Sequence, residues 1–268
     1  MFQLAPVTYQ GRFHAQVAGS ADSRILLCGV AGSVFDGGDT EDGYALHLDG
    51  ASYWDIRDVS IRGAQKGIVL DATSHTTLSD LRISDVGQEG LHLRANSSDN
   101  LVQRIRVERT GLVDPSFGEG VYVGSAQSNW CRYTSCQPDR SDRNTFEQLS
   151  ISDTMAEAVD IKEGTSDGVV RDSTLTVSAQ AVVDSVVDVK GSGWTLDANM
   201  VVGAVDAISV HVILPPWGSA NVLVRNQLSP TSGGLGVHLV GAARAAANRV
   251  GCDNTTPEGV ELTNIACA

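Results

Sequence analysis

The sequence of 268 residues is poor in long apolar runs and in basic residues, and each shortage excludes a class of partner. No apolar stretch has the length that a bilayer-spanning segment needs, so we expect no membrane partner. Only 19 Lys and Arg residues stand against 32 Asp and Glu residues, which gives a net charge of −13. That balance argues against nucleic acid or an anionic membrane as a broad-surface partner, but it leaves local binding of an anionic substrate open.

Motifs for nucleotide and organic cofactors are also lacking. No GxGxxG, P-loop or nucleophile-elbow motif stands where it would suggest such a cofactor or a serine mechanism. Residues 1–6 lack the charged and apolar regions of a signal peptide, so we expect that any such segment has been removed or never existed. No long amphipathic helix pattern occurs. Short Val/Ile/Leu runs, many turn residues and 28 glycines indicate strands and turns instead.

A short phrase with aliphatic residues at its second and fourth positions returns eight times along the chain. Side chains of a strand alternate between its two faces, so these aliphatic residues point to one side and the third and fifth residues to the other. Such spacing marks a repeat architecture in which each unit buries its apolar face against its neighbours. The copies lie at residues 45–49, 67–71, 90–94, 120–124, 158–162, 186–190, 207–211 and 236–240.

A second series repeats at steps of 22 to 27 residues, with one doubled step of 44. The doubled step predicts a long inserted loop at about 111–144. Both series predict an all-β fold, a parallel solenoid of about nine or ten coils that forms one domain over residues 1–268, with a capping segment at about 249–268. The members of the second series are Asp58, Asp80, Arg104, Gln148, Asp172, Asn199, Asn226 and Asn248.

This double pattern resembles the right-handed parallel β-helix proteins of the pectin-lyase-like superfamily, over essentially the whole chain. The resemblance implies a right-handed solenoid. It does not fix an activity, because fold does not imply function. Polysaccharide lyases of this superfamily abstract the proton at C5 of a uronate sugar and expel the C4 substituent by β-elimination. The tryptophan-isoleucine-aspartate-histidine and arginine-proline signatures of the best-known pectate lyases are missing, so pectate is not the expected substrate.

The cysteines give a hint about the cellular compartment. Cys131 and Cys136 lie five residues apart inside the predicted insertion, and Cys252 and Cys267 bracket the last segment. Each pair is placed to close a small loop, which predicts two local disulfides and a secreted protein, with Cys28 left over. The alternative is five reduced thiols in a cytosolic protein.

The outward positions of the middle coils collect ionisable residues. Stacked strands lie ~4.8 Å apart, so neighbours in one column are close enough to titrate together or to share a metal ion. Gly124 leaves a gap in this surface next to the insertion, which predicts a groove for a substrate. The residues brought together are Glu119, Tyr122, Glu157, Asp160, Lys162, Asp188, Lys190 and His211.

The resemblance to the lyases implies roles for these residues. Lys162 is the first candidate for the base and Lys190 the second, because neighbouring lysines are expected to lower each other's pKa. Tyr122, Asp160 and Asp188 complete the catalytic candidates. Calcium is the expected cofactor, held by Asp160, Asp188 and Glu157. The candidates for substrate binding are Arg94, Glu119, Glu157, His211 and Trp130.

Three other interpretations of the same residues stay open. Paired carboxylates such as Asp160 and Asp188 also suit a glycoside hydrolase. A carbohydrate-binding or structural β-helix is the non-catalytic alternative. The lysine–aspartate pairs alone are also typical of a solvated ion-pair ladder on a solenoid. The sequence favours a secreted, monomeric enzyme that cleaves an acidic, uronate-containing polysaccharide by β-elimination in a groove on the outer face.

Overall fold

The computed structural model of the protein describes residues 1–231 and 233–268 and contains three parallel sheets. The chain passes through the sheets in turn, and each strand pairs in parallel with the strand one coil further on. The predicted all-β parallel solenoid of about ten coils is therefore confirmed.

Sheet A has ten strands, while sheets B and C have nine each. Sheet A contains β1 (Phe2–Gln3), β4 (Ile25–Cys28), β7 (Trp54–Arg57), β10 (Thr77–Ser79), β13 (Leu101–Gln103), β16 (Thr145–Glu147), β19 (Val169–Arg171), β22 (Thr195–Asp197), β25 (Val222–Val224) and β28 (Arg249–Val250). Sheet B contains β2 (Thr8–Gln10), β5 (Val34–Asp36), β8 (Ser60–Arg62), β11 (Arg82–Ser84), β14 (Arg106–Glu108), β17 (Ser150–Ser152), β20 (Thr174–Thr176), β23 (Met200–Val202) and β26 (Gln227–Ser229). Sheet C contains β3 (Phe13–Ala15), β6 (Tyr44–Asp49), β9 (Lys66–Asp71), β12 (Leu91–Arg94), β15 (Val121–Val123), β18 (Val159–Ile161), β21 (Ser185–Val189), β24 (Asp206–His211) and β27 (Val237–Val240).

All eight copies of the repeated phrase lie on sheet C, from β6 to β27. Their aliphatic residues are buried in the interior of the solenoid, as Leu91, Leu93, Val159 and Ile161 illustrate. The alternation of faces leaves the third and fifth residues of each copy on the outside of sheet C. The outer face of this sheet therefore carries the side chains that the sequence marks as candidates for function.

The second series is correct in its first five members and needs a correction after them. Those members occupy the corner between sheets A and B, where the backbone adopts a positive φ: Asp58, Asp80, Arg104, Gln148 and Asp172. In the next two coils Ala198 and Arg225 take that corner position.

The three asparagines of the second series belong to stacks of hydrogen-bonded asparagines instead. Asn199 and Asn226 each follow the corner residue, and Asn199 donates from Nδ2 to Oδ1 of Asn226 over 3.0 Å. Asn226 donates in turn to Asn254 over 2.9 Å. Asn248 stacks under Asn221 at a different corner. Spacing alone does not distinguish a corner residue from the residue after it, because a shift of one residue changes the interval between coils only slightly.

The predicted insertion at 111–144 is not one loop, because β15 of sheet C runs through it. Residues 109–120 form one long turn, and residues 124–144 form a second that contains α1 (Trp130–Tyr133). Asp139 fixes the second turn on sheet C by accepting hydrogen bonds from the backbone N–H groups of Ala95 and Asn96, at 3.0 and 2.9 Å. The two turns therefore flank β15 on the outer face of the solenoid.

Both predicted disulfides are present, between Cys131 and Cys136 and between Cys252 and Cys267, and Cys28 is free and buried. The C-terminal residues continue the pairing of the last coil, since Leu262 accepts a hydrogen bond from the N–H of Val237 over 2.7 Å. Within residues 1–231 and 233–268, no helix has both the length and the apolarity that crossing a membrane requires.

Candidate functional site

The register of sheet C brings three of the predicted catalytic residues into one column. Tyr122 on β15 pairs with Asp160 on β18, and Asp160 pairs with Asp188 on β21. His92 on β12 precedes Tyr122 in the same column. The predicted neighbours along the column are therefore confirmed as neighbours in space.

A network of short ion pairs connects this column with the adjacent one. Lys162 places Nζ 2.5 Å from Oδ2 of Asp160, and Lys190 places Nζ 2.9 Å from Oδ1 of the same carboxylate. Lys190 also lies 2.6 Å from Oδ2 of Asp188, and the Nδ1 atom of His211 lies 2.8 Å from Oδ1 of Asp188. We call Asp160, Lys162, Asp188, Lys190 and His211 the charged wall.

The charged wall is largely removed from solvent. The side chains of Asp160 and Asp188 are 2% and 6% exposed, and those of Lys162 and Lys190 are 15% and 12% exposed. A solvated ion-pair ladder would leave such groups in water. The burial therefore contradicts that interpretation, and it raises the cost of keeping these charges.

The structure reverses the expected direction of the lysine pKa shifts. Burial lowers the pKa of Lys162, but the charge of Asp160 outweighs it, so the net pKa is raised above the ordinary value. The pKa of Lys190 is raised for the same reason by Asp160 and Asp188, although Lys162 opposes the shift. The attraction of the carboxylates outweighs both burial and the charge of the other lysine, so both lysines carry a charge at neutral pH.

Burial raises the pKa of three further groups near the wall. Burial and the charge of Asp160 raise the pKa of Glu119 and of Tyr122 well above their ordinary values. The pKa of Glu157 is raised to about 7, again by burial and then by Asp160. A neutral Tyr122 hydroxyl can donate a proton, and a carboxyl that titrates near neutrality can accept one.

Lys162 also lies over the ring of Tyr122, with Nζ 4.9 Å from the ring centroid. On its other side, the Tyr122 ring meets the imidazole of His92 edge to face, at 4.5 Å between centroids. Tyr122 therefore stands between the charged wall and the residues of the preceding coil.

The carboxylates beside the wall fit the oxygen ligands that calcium prefers. Glu119, Glu157 and Asp160 offer oxygen atoms within 4.8 Å of one another, and so do Glu157, Asp184 and Asp188. Among residues 1–231 and 233–268, the buried Oε2 atom of Glu119 finds no hydrogen-bond partner. The predicted set of Asp160, Asp188 and Glu157 is divided between these two groups, because Lys190 lies between the two aspartates.

A cavity of about 220 Å³ lies on the other side of Tyr122. Sheet C provides its floor, and the turns around β15 provide its walls, including Phe117 from the first turn and Tyr133 from the second. We call it the Tyr122 cavity. Its ionisable lining consists of Lys66, Glu89, His92, Arg94, Tyr122, Arg132 and Tyr133.

Inside the Tyr122 cavity, most charges are already paired. Lys66 lies 2.5 Å from Oε1 of Glu89, and Arg94 holds Asp71 through Nε and Nη2, at 2.6 and 3.0 Å. Burial lowers the pKa of His92, so its imidazole is neutral at pH 7. Arg94, predicted to bind substrate, is 3% exposed and fixed in place, although it lines the cavity.

Trp130, predicted as a substrate platform, has a structural role instead. Its side chain is buried, its Nε1 donates to the carbonyl of Ser125 over 2.9 Å, and its ring packs edge to face on Trp217. The tryptophan therefore anchors the second turn and offers no face for stacking on a sugar.

Sequence reasoning also missed residues of the site. Asp184 lies one residue before β21, outside the fifth- and third-position columns, so periodicity gave no signal for it. Lys66 and Arg132 were missed because the cavity arises only where the two turns fold back over sheet C.

The comparisons with known proteins agree with this architecture. A family model described as "right handed beta helix region" matches residues 41–185. The crystal structure of an alginate lyase from Paenibacillus sp. str. FPU-7 is similar over 96% of this chain and 87% of that chain, with 32% identity and a TM-score of 0.87.

Two more distant structures share the fold alone. The pectate lyase Pel9A is 16% identical, with a TM-score of 0.65 over 98% of this chain and 69% of that one. ORF18 of Geobacillus virus E2 is 12% identical, with a TM-score of 0.62 over 96% of this chain and 50% of that one. No curated protein gave a significant match.

Proposed function

The chain belongs to the right-handed β-helix family, with a fold of the pectin-lyase-like type, and from this premise we propose that it is a polysaccharide lyase. Its substrate class is an acidic, uronate-containing polysaccharide, with alginate as the first to test. The observation that carries the proposal is the similarity to an alginate lyase at 32% identity over 96% of the chain. The buried charged wall supports it, because charges retained at a cost in desolvation are typical of functional sites.

The protonation states of the wall support roles that differ from the sequence prediction, in which Lys162 was the base. A charged lysine cannot accept a proton, so we assign Lys162 and Lys190 to neutralising the uronate carboxylate, which makes the C5 proton labile. Glu157, half-buried beside Asp160 and with a pKa of about 7, is assigned as the base. Tyr122, which keeps its proton, is assigned as the acid.

The elimination then balances without water. Glu157 takes the proton from C5, and the electron pair left there forms a double bond between C4 and C5. The bond between C4 and the bridging oxygen breaks, and that oxygen takes the proton of the Tyr122 hydroxyl. The products are a chain with a new hydroxyl end and a chain with an unsaturated uronate.

Calcium remains a proposed addition to this site. When bound, it would supply further positive charge facing the substrate carboxylate, and Glu119, Glu157 and Asp160 would hold it. The use of Glu157 as a ligand and its use as the base exclude each other, so a measurement of calcium binding decides between them.

Hydrolysis by an inverting pair of carboxylates is the less favoured reaction. Inverting glycosidases separate their carboxyl groups by about 6.5–9.5 Å to leave room for water. The oxygen atoms of Glu119, Glu157 and Asp160 lie within 4.8 Å of one another, which is closer than that arrangement. We further propose that the protein acts outside the cytosol, since its two local disulfides persist in oxidising compartments.

The test is a panel of alginate, polygalacturonate, glucuronan and a glycosaminoglycan, with two readouts measured together. Ultraviolet absorbance reports the unsaturated product, and a reducing-sugar assay reports every cleavage. We expect both signals to rise in step on at least one uronate polymer. Reducing ends without absorbance would identify a hydrolase, and no signal on any polymer would favour a binding role.

Matched variants tie the reaction to the wall. Lys162→Ala is expected to lower kcat/KM at least about 100-fold, because one group that neutralises charge in the transition state is lost. Arg171→Ala removes a basic side chain paired with Glu147 on sheet A and is expected to leave the rate within twofold. Equal rates for the two variants would contradict the proposed site.

A further inference from the structure

Arg132 differs from every other basic side chain in the part of the chain that the structure describes. The chain has 19 Lys and Arg residues, and each of the others donates to a carboxylate, a thiol or a backbone carbonyl. Arg132 alone has no such partner within residues 1–231 and 233–268. Its guanidinium instead lies 5.2 Å from the centroid of the Tyr133 ring. In a chain with a net charge of −13, a basic side chain that donates to none of these groups stands out.

The position of Arg132 is defined by its surroundings. It lies on α1, next to the buried Trp130, and the disulfide between Cys131 and Cys136 closes the short loop that contains it. Tyr133, its neighbour, is held by Nη1 of Arg94, which lies 3.1 Å from the tyrosine hydroxyl. These contacts hold the backbone of Arg132 beside the Tyr122 cavity, and its side chain contributes to the cavity lining.

Among the basic residues that line the Tyr122 cavity, Arg132 is the one available to pair with a ligand. Lys66 is paired with Glu89 and Arg94 with Asp71, whereas Arg132 has no carboxylate partner within residues 1–231 and 233–268. Gln88 and Asn129 add uncharged hydrogen-bonding groups to the lining. The volume of about 220 Å³ is below the range of about 300–1,000 Å³ typical of pockets for drug-sized ligands, and it suits a single sugar ring.

We propose that the Tyr122 cavity binds one uronate residue of the substrate, whose carboxylate pairs with Arg132. This inference rests on the proposed function, since it takes the substrate to be a uronate polymer. Tyr122 then lies under the bond to be cleaved, with one sugar in the cavity and the next over Lys162. An arginine pairs with a carboxylate through two parallel N–H groups, so the cavity selects a charged sugar over its neutral counterpart.

The test measures binding apart from turnover. Titration calorimetry with a mannuronate trimer is performed on Tyr122→Phe, which slows cleavage, and on the same protein with Arg132→Gln or Arg140→Gln added. Arg140 lies on the same turn, is exposed and pairs with Asp142, so its replacement makes the same change in charge away from the cavity. We expect Arg132→Gln to weaken binding about tenfold or more and Arg140→Gln to leave it within twofold. The neutral trimer, mannotriose, is expected not to bind.

The outcomes separate this inference from the proposed function. Equal affinities of the two arginine variants, or equal affinity for the charged and neutral trimers, would overturn the role of Arg132. In the wild-type background, Arg132→Gln is expected to raise KM for alginate while kcat stays within about threefold. Binding that depends on Arg132, together with no unsaturated product from any polymer, would keep the uronate site and overturn the lyase.

Discussion

The outer faces of sheets A and C both pair an acidic residue with a basic residue of the next coil, yet they place these pairs in different environments. On sheet A, Glu147 of one coil pairs with Arg171 of the next, and the arginine side chain is 49% exposed. On sheet C, Asp160 pairs with Lys190 of the next coil, and the lysine side chain is 12% exposed. Stacking alone therefore does not decide whether an ion pair on a solenoid is solvated.

The difference shows which charges need an explanation. Exposed pairs contribute about 0–1 kcal/mol each and are ordinary on a solenoid surface. A buried network loses solvation, and exchanging it for apolar side chains often leaves stability unchanged or higher. The charged wall is therefore not expected to stabilise the fold enough to explain its desolvation. A function in binding or catalysis accounts for it better than solubility does.

The largest effect expected from this comparison is on stability. Asp160→Ala leaves Lys162 and Lys190 buried without their shared carboxylate, so we expect a loss of about 3–5 kcal/mol in the free energy of unfolding. Glu147→Ala breaks the exposed pair with Arg171 and is expected to cost less than about 1 kcal/mol. Urea denaturation measures both values. Equal losses of stability would contradict the distinction between a buried ion-pair network on sheet C and an exposed pair on sheet A.

A smaller effect is expected at Glu157, with a defined dependence on pH. The folded protein binds this proton more tightly than the unfolded chain, since the pKa is about 7 against an ordinary 4.5. Its contribution to stability is therefore full below about pH 4.5 and is lost as the pH rises to about 7. Glu157→Gln mimics the protonated form, so we expect it to stabilise the protein above pH 7 by at most about 3 kcal/mol. Thermal unfolding of both proteins at pH 5 and pH 8 measures this effect. Stabilisation by Glu157→Gln at pH 5 only would contradict the raised pKa.

Calcium is expected to have a still smaller effect, if the carboxylates hold it. A ligand at ten times its Kd stabilises the folded state by about 1.4 kcal/mol, so Tm should rise with calcium at pH 8 and fall again with a chelator. Glu119→Gln should abolish that shift, because Glu119 supplies an oxygen to the cluster. A calcium-dependent Tm would make Glu157 a ligand and contradict its assignment as the base. An unchanged Tm would remove calcium from the proposal.

The last prediction of this comparison concerns the turn that carries Arg132. Replacing Cys131 and Cys136 with serine opens a five-residue loop, which constrains the unfolded chain only slightly, so global stability should change by less than about 2 kcal/mol. Local disorder around Arg132 should nevertheless weaken binding of the mannuronate trimer. Serine replacement of Cys252 and Cys267, away from the cavity, is the control. Identical binding by both double variants would mean that the disulfide does not position the arginine.

The sequence predicts the columns of sheet C correctly because two periods determine them. Alternation along the strand assigns each side chain to a face, and the step between copies assigns its neighbour in the next coil. These two periods are enough to place Tyr122, Asp160 and Asp188 together. The same reasoning slips at Asn199 and Asn226, where no alternation marks the corner.

The electrostatics of the site and the cavity were beyond the reach of the sequence. The pKa values of Lys162 and Lys190 depend on which charge lies closer, and spacing gives only the distance between coils. Arg132 lies in an irregular turn, and its approach to sheet C results from long-range contacts such as those of Asp139. Irregular segments have no period from which a side-chain position follows.

The most direct test of a lyase site centred on Tyr122 is the initial rate of unsaturated product from alginate by Tyr122→Phe. This change keeps the ring between His92 and Lys162 and removes only the hydroxyl, so Tm should stay the same. We predict a fall in kcat of at least about 100-fold, as expected when a proton-transfer group is lost. A variant with the wild-type rate would contradict the account, because the proton that Tyr122 is assigned to donate would then come from elsewhere.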